Sequence, residues 1–239
     1  MHILESYALQ DNLKIDKPYL YEKYFPMATS GNYITLDVSS TDGANKYDHW
    51  PLVLDFLTPY LKKMEIQVVQ LGNKDDEHIP GCYIAVGQTD INQKAYVIKK
   101  SKLHICTNNL SLQIASSYGK KIVTLFSNSF YEQFKPYWSN REDVVSIKGY
   151  AKKPSFNPNE QPKTINSIRP EKIAESILGF LGKLHSFAFR TLKVGPLYLS
   201  RRVESSLSNP IADIKGLGVD SLIVRMDYNF NEDNLIKQL

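Results

Sequence analysis

The feature that most constrains this chain is a set of short apolar runs without polar alternation, each followed by a polar loop. Ile66-Gln67-Val68-Val69-Gln70-Leu71 and Ile122-Val123-Thr124-Leu125-Phe126 are the clearest cases. A strand with one wet face alternates polar and apolar residues. Runs of this kind need cover on both faces, which a parallel sheet sandwiched by helices supplies. Tyr33 to Val38 and Leu103 to Cys106 read the same way, with Cys82 to Val86 and Val144 to Ile147 as shorter strands. Between the strands the spacing turns helical. Leu54, Leu57, Leu61 and Met64 recur behind Pro51, a residue suited to a first helical turn. Residues 90–101 form a second helix with Thr89 or Asp90 as cap, and residues 110–118 a third, closed by Gly119. Pro170 opens a helix to Leu181. Residues 152–168, which hold Pro154, Pro158 and Pro162, read as a long surface loop. The repeated order strand, loop, helix gives an α/β class with a Rossmann-like parallel sheet flanked by helices.

That pattern fills residues 31–184. Residues 1–30, with Tyr7, Tyr19, Tyr21, Tyr24 and Phe25, read as a lead-in that lays aromatics on the main body. Residues 185–239 read as a partial α/β segment with strands at 191–194 and 221–226 and a helix from Asn231. Gly216-Leu217-Gly218 is a turn. A domain holds about 100–200 residues, so 239 residues are more than one and less than two.

Composition narrows the class. Hydrophobic residues are 42%, aromatics 11% and charged residues 23%, which excludes a disordered or fibrous chain. No apolar run nears the ~20 residues of a membrane span. The first twenty residues carry Glu5, Asp11 and Asp16 and lack a signal-peptide pattern. The expectation is a cytoplasmic protein without a transmembrane segment. Cys82 and Cys106 stand apart in apolar surroundings and read as reduced packed thiols, and the five histidines have no ligand spacing, so no metal is expected. The net charge of +4 includes a basic stretch through Lys120, Lys121, Lys135, Arg141, Lys148, Lys152 and Lys153, either a solvated face or a surface that meets an anion.

In parallel sheets, ligands bind at the carboxyl ends of the strands. Four polar loops fall there: residues 39–45, 72–76, 107–109 and 127–129. Asn108 and Asn109 open a helix whose free N–H groups and dipole suit a diphosphate, or merely cap it.

The run from Lys102 to Ser127 resembles the heptosyltransferase-like glycosyltransferases, family 9, of GT-B fold. Their pattern is roughly N/T-D-S-G-x-x-H-x-A-x-x-x-G-x-P-x-V-x-L-F-G. Lys46-Tyr47-Asp48-His49-Trp50-Pro51 resembles the family's K-x-W-P motif with two extra residues, and Val68 to Gly72 its strand ending in a glycine loop. The likeness covers about residues 33–181, the nucleotide-sugar-binding half of a two-domain body. It implies that Ser39 and Ser40 meet phosphate and Lys46 neutralises the diphosphate. Gly72, Asn73 and Asp75 or Asp76 lie toward ribose or base. Asn108, Asn109 and Leu110 match D-S-G, and Gln113 matches the histidine. Ser127 closes the set. Where the pattern departs, Leu110 replaces a glycine and Gln113 cannot carry a proton or charge. The resemblance implies a nucleoside-diphosphate sugar as donor substrate and no bound cofactor. The catalytic residues are unknown here, because the family's base comes from the other domain. The function so implied is sugar transfer from that donor to an acceptor hydroxyl, on a glycan or a nucleic acid, with a second domain or partner chain completing the site; on this resemblance the chain is a half-enzyme and residues 185–239 are the start of an acceptor domain. A non-catalytic nucleotide-sugar-binding or assembly module is the alternative.

Overall fold

The computed structural model describes residues 1–27, 31–40, 42–150, 152–188, 191, 202–206, 221–225, 233 and 236. The chain divides into two compact units, Met1–Thr191 and Leu192–Leu239.

The first unit is built on a six-stranded sheet, all parallel: β1 Tyr33–Asp37, β2 Gln67–Leu71, β3 Tyr83–Ile84, β4 His104–Thr107, β5 Ile122–Phe126 and β6 Val144–Lys148. The order β3-β2-β1-β4-β5-β6 is that of a doubly wound fold, with its switch point between β1 and β4. The helices are α1 Ile3–Gln10, α2 Trp50–Lys63, α3 Ile91–Lys100, α4 Leu110–Ser117, α5 Tyr131–Phe134 and α6 Pro170–Phe180.

Strand parity divides the core in two. Ile34, Leu36, Val68, Val123 and Leu125 point to one face, against Val53, Leu54, Leu57 and Leu61 of α2 and Ile173, Ile177 and Leu178 of α6. Tyr33, Val69, Leu71, Cys106, Ile122 and Phe126 point to the other, against α3 and α4 through Ala95, Ile98, Leu112 and Ala115. Both faces are thus dry, and the apolar runs need no polar alternation. The helix ends also follow the sequence. Asp90 caps α3 in a capping box with Gln93, Pro51 lies in the first turn of α2, and Gly119 takes φ +61° just beyond α4. Trp50 is buried.

One expectation needs correction, and the lead-in gains a helix. Residues 1–30 hold α1, whose His2 caps Leu4 and reaches the Lys135 carbonyl at 2.9 Å. Of the lead-in aromatics, Phe25 is buried in the core and Tyr24 stands edge-on to Tyr96 of α3, while Tyr7, Tyr19 and Tyr21 are exposed. The supposed surface loop before α6 turns inward: Ile165, in a short 3-10 turn Thr164–Ser167, is wholly buried in the α2/α6 core, with Asn166 and Glu160 also buried.

In the second unit, β7 Arg202–Ser206 and β8 Ser221–Arg225 pair in parallel. The expected strand at 191–194, the turn at Gly216 to Gly218 and nearly all of the expected terminal helix lie outside the described residues.

Candidate functional site

The loops after β1, β4 and β5 are tied together at the carboxyl edge of the sheet. Asn109 is the knot. Its Oδ1 accepts from Leu112 N, capping α4, and from Ser111 Oγ at 2.7 Å; its Nδ2 donates to the Ser39 carbonyl at 2.9 Å. The amino end of α4 is thereby fixed to the loop after β1, at the switch point. Asn108 Nδ2 donates to Ser129 Oγ, joining β4 to β5. Ser127 is fully buried, and its hydroxyl serves the Ala44 carbonyl and Asn45 Oδ1, both at 3.1 Å. Ser40 Oγ donates to the Asp42 carbonyl, and Asp42 in turn caps the 3-10 turn Gly43–Asn45.

Lys46 leaves that turn half-buried. Its carbonyl and the Asp48 carboxylate are both held by Lys163, at 3.3 and 2.7 Å, while Asn166 exchanges two hydrogen bonds with Asp48. Burial opposes ionisation of Asp48, but the bonds from Lys163 and Asn166 prevail and hold its carboxyl below the usual range. The inward-turned segment before α6 thus supplies both partners of Asp48. Among the described residues no carboxylate lies within 4 Å of the Lys46 ammonium.

A second group of the expected residues lines a cleft of about 370 Å³ beside the knot, formed by Gly72, Asn73, Gly87, Thr89, Lys94 and Leu110 among others. Gly72 is buried; Asn73 and Asp75 are exposed, in a turn where Asp76 Oδ2 accepts from Asn73 N at 2.6 Å. Leu110 stands 62% exposed at the first position of α4. Gln113 joins neither group. Its amide donates to the Phe134 and Lys135 carbonyls and accepts from Tyr137 N, so it is committed to the segment after α5. His49 is half-buried, edge-on to Tyr47.

Sequence reasoning missed the centre of the network. Asp37, the last residue of β1, is wholly buried. Its Oδ1 accepts from both the N–H and the hydroxyl of Ser39, at 2.9 and 2.6 Å, and Lys94 Nζ forms an ion pair with Oδ2 at 3.1 Å. That contact lies off the line of an aligned hydrogen bond, since Oδ2 finds no hydrogen-bond partner. Burial opposes ionisation, yet Lys94 and Ser39 outweigh it and hold the carboxyl below its ordinary value. Behind it, His104 is fully buried, with Nδ1 at 2.9 Å from Thr35 Oγ1 and Nε2 at 2.9 Å from Ser111 Oγ. Burial lowers its pKa to about 4, with Lys94 and Lys120 adding to the fall against the pull of Asp37. One polar chain thus runs Thr35–His104–Ser111–Asn109–Ser39–Asp37–Lys94 across the switch point. The lone signal for it in the sequence was a carboxylate and an imidazole inside otherwise apolar strands. Thr89 Oγ1, buried at the cleft, has no hydrogen-bond partner.

An anion facing this edge would meet a helix N-terminus, two lysines and a preorganised loop, the arrangement that grips phosphate in doubly wound folds. The fold is similar to part of the heptosyltransferase-like glycosyltransferase structures. A family 9 glycosyltransferase from Veillonella parvula superposes with a TM-score of 0.51 at 16% identity, over 65% of this chain and 47% of that one. The E. coli ADP-heptose lipopolysaccharide heptosyltransferase II gives 0.50 at 16% identity, over 74% and 50%. The chain therefore spans about half the length of the solved structures it matches. No protein-family model and no curated protein matches the sequence. No helix among the described residues is long and apolar enough to cross a membrane.

Proposed function

We propose that this chain is the donor-binding portion of a glycosyltransferase, gripping the diphosphate of a nucleoside-diphosphate sugar at the β1/β4 switch point. The observation that carries the reading is the Asn109 knot, which holds the amino end of α4 against the Ser39 loop. The free N–H groups and dipole of α4 would face the phosphates, Lys46 would neutralise them, and the neighbouring cleft with Gly72, Asn73 and Thr89 would take the nucleoside. The helix dipole and Lys46 would stabilise the departing diphosphate without a metal.

Transfer itself needs a base for the acceptor hydroxyl, and that base would come from a second domain or a partner chain. The acceptor is a hydroxyl, on a glycan in the first reading and on a nucleic acid in the second. A binding module without turnover has its own support: Leu110 where a glycine would let phosphate approach, and a Gln113 amide committed to backbone partners.

Thermal shift with ADP-, UDP- and GDP-sugars tests the binding. A ligand at ~100 times its Kd adds about 2.7 kcal/mol. One nucleotide series should stabilise the protein and Lys46→Ala should erase the effect. Absence of a shift with all three series refutes the proposal. Hydrolysis or transfer by the chain alone would refute the need for a second component.

A further inference from the structure

The edge opposite the candidate site has its own chemistry. Helices in a doubly wound fold run antiparallel to the strands, so the ends of α3 and α4 meet the starts of β4 and β5 at the amino edge. Lys99, Lys100, Lys102, Lys120 and Lys121 gather there. Compensation of helix dipoles would explain one cation in a last turn, but three of the five lie past the helix ends. Two are fixed in place: Lys120 Nζ donates to the Lys99 carbonyl at 3.0 Å, and Lys121 Nζ to the Phe180 carbonyl at 3.3 Å. Glu22 pairs with Lys99 at 2.6 Å. Among the described residues no carboxylate lies within 4 Å of the other four ammonium groups.

Against this edge lies the irregular arm that precedes β1. Glu22 fastens it to Lys99 and to the Tyr118 hydroxyl. Tyr19 is 90% exposed and Tyr24 67%; of the arm's lysines, Lys23 pairs with Asp90 at 3.1 Å. Tyr24 stands edge-on to Tyr96 at 5.5 Å, and the two rings, with Tyr33 and Lys100, line a slot of about 300 Å³. The exposed groups beside the lysines are phenol rings, which offer flat faces for stacking on bases.

We propose that the amino edge of the sheet binds single-stranded nucleic acid, the lysines tracking phosphates and Tyr19 and Tyr24 stacking on bases. Fixed cations along a groove with adjacent aromatic platforms are what such a strand requires.

The test is fluorescence anisotropy of a labelled oligothymidylate of about 20 nucleotides, titrated with the full chain across a salt series. Five phosphate contacts give a slope of log K against log salt near −3.5, at about −0.7 per contact. Lys100→Glu/Lys102→Glu/Lys121→Glu, all exposed positions, should cut the slope to about −1.4. Tyr19→Ala/Tyr24→Ala should weaken binding about tenfold at unchanged slope. Retained melting temperature shows that both variants fold. Absence of binding at about 50 mM salt, or a slope that ignores the lysine changes, overturns the proposal. So does affinity untouched by the tyrosine changes, or tighter binding to phosphatidylcholine vesicles with about one-quarter phosphatidylserine than to the oligonucleotide.

Discussion

Lys94 and Asp37 offer the sharpest perturbation of the site. Asp37 is 1% exposed at its side chain and Lys94 14%, so the pair is buried with a narrow opening at the cleft. Removing one partner of a buried pair costs about 3–5 kcal/mol, because the remaining charge loses its compensation without regaining water. Lys94→Met leaves the Asp37 carboxylate with its two bonds from Ser39, which places the loss near the lower figure, about 3 kcal/mol. Asp37→Asn is milder. The orphaned ammonium can lean toward the cleft, and the amide oxygen can still accept from Ser39, so the cost is about 1 kcal/mol. The double substitution removes both charges and should cost no more than about 2 kcal/mol, well short of the sum, for a coupling near 2 kcal/mol. In a body of this size 1 kcal/mol moves Tm by about 2–4 °C, so Lys94→Met should melt roughly 6–12 °C early, and Asp37→Asn should recover about a third of the loss in that background. The penalty should shrink with acid. Without Lys94 the folded carboxyl is raised above its unfolded value, the native state binds the extra proton, and stability recovers as pH falls toward 4. Scanning calorimetry of the four proteins at pH 7 and pH 5 reads all of this. Strict additivity, or a Lys94→Met loss under about 2 °C, would show that the pair does not hold the switch point.

Other outcomes follow from the same geometry. His104 has a folded pKa of about 4 against about 6.5 unfolded, so its contribution is complete above pH 6.5 and is lost as pH falls toward 4; urea unfolding should show about 2 kcal/mol less stability at pH 5 than at pH 7, a difference that His104→Gln removes. Asn109→Ala loses the cap and the tie to Ser39, costing about 1–2 kcal/mol in denaturant unfolding and weakening any nucleotide shift. Gly87→Ala puts a Cβ 2.8 Å from Lys74 Cα at φ +68°, and should lower stability by about 2 kcal/mol; an unchanged Tm would mean the β2 and β3 loops are not pinned there. Ile165→Ala, in a stretch that reads as surface, should cost about 2–5 kcal/mol, and a loss under about 1 kcal/mol would contradict its burial.

The sheet was legible because its signal is local. Ile122–Phe126 is the strand of the structure residue for residue, and β1 differs from its expected span by Val38 alone. Ile165 was not legible, because three prolines around it outweigh one isoleucine in a local reading, whereas burial is decided by α2 and α6, far away in sequence. At the site, Asn109 and Ser39 could be found as polar residues after strands. Asp37 could not, since nothing in the sequence says that position 37 shares the face of Lys94 rather than that of α2. Gln113 was drawn into the expected site by its place in a motif; its partners, at 134–137, follow β5 and leave no mark near it.

The β1–β4 pairing joins Thr35 to His104 across 69 residues, and it is the seam between two locally wound halves, β1-β2-β3 and β4-β5-β6. Closing so long a loop is an entropic cost that precedes its reward, so this pairing belongs late in folding. Polar ties across the seam include Thr35–His104, Asn109–Ser39, and Ser127 with Ala44 and Asn45. A molecule bound across it contacts both halves at once and lends its binding free energy to keeping them registered. On the proposed reading the ligand site is also the clasp: occupancy and completion of the fold become two readings of one equilibrium.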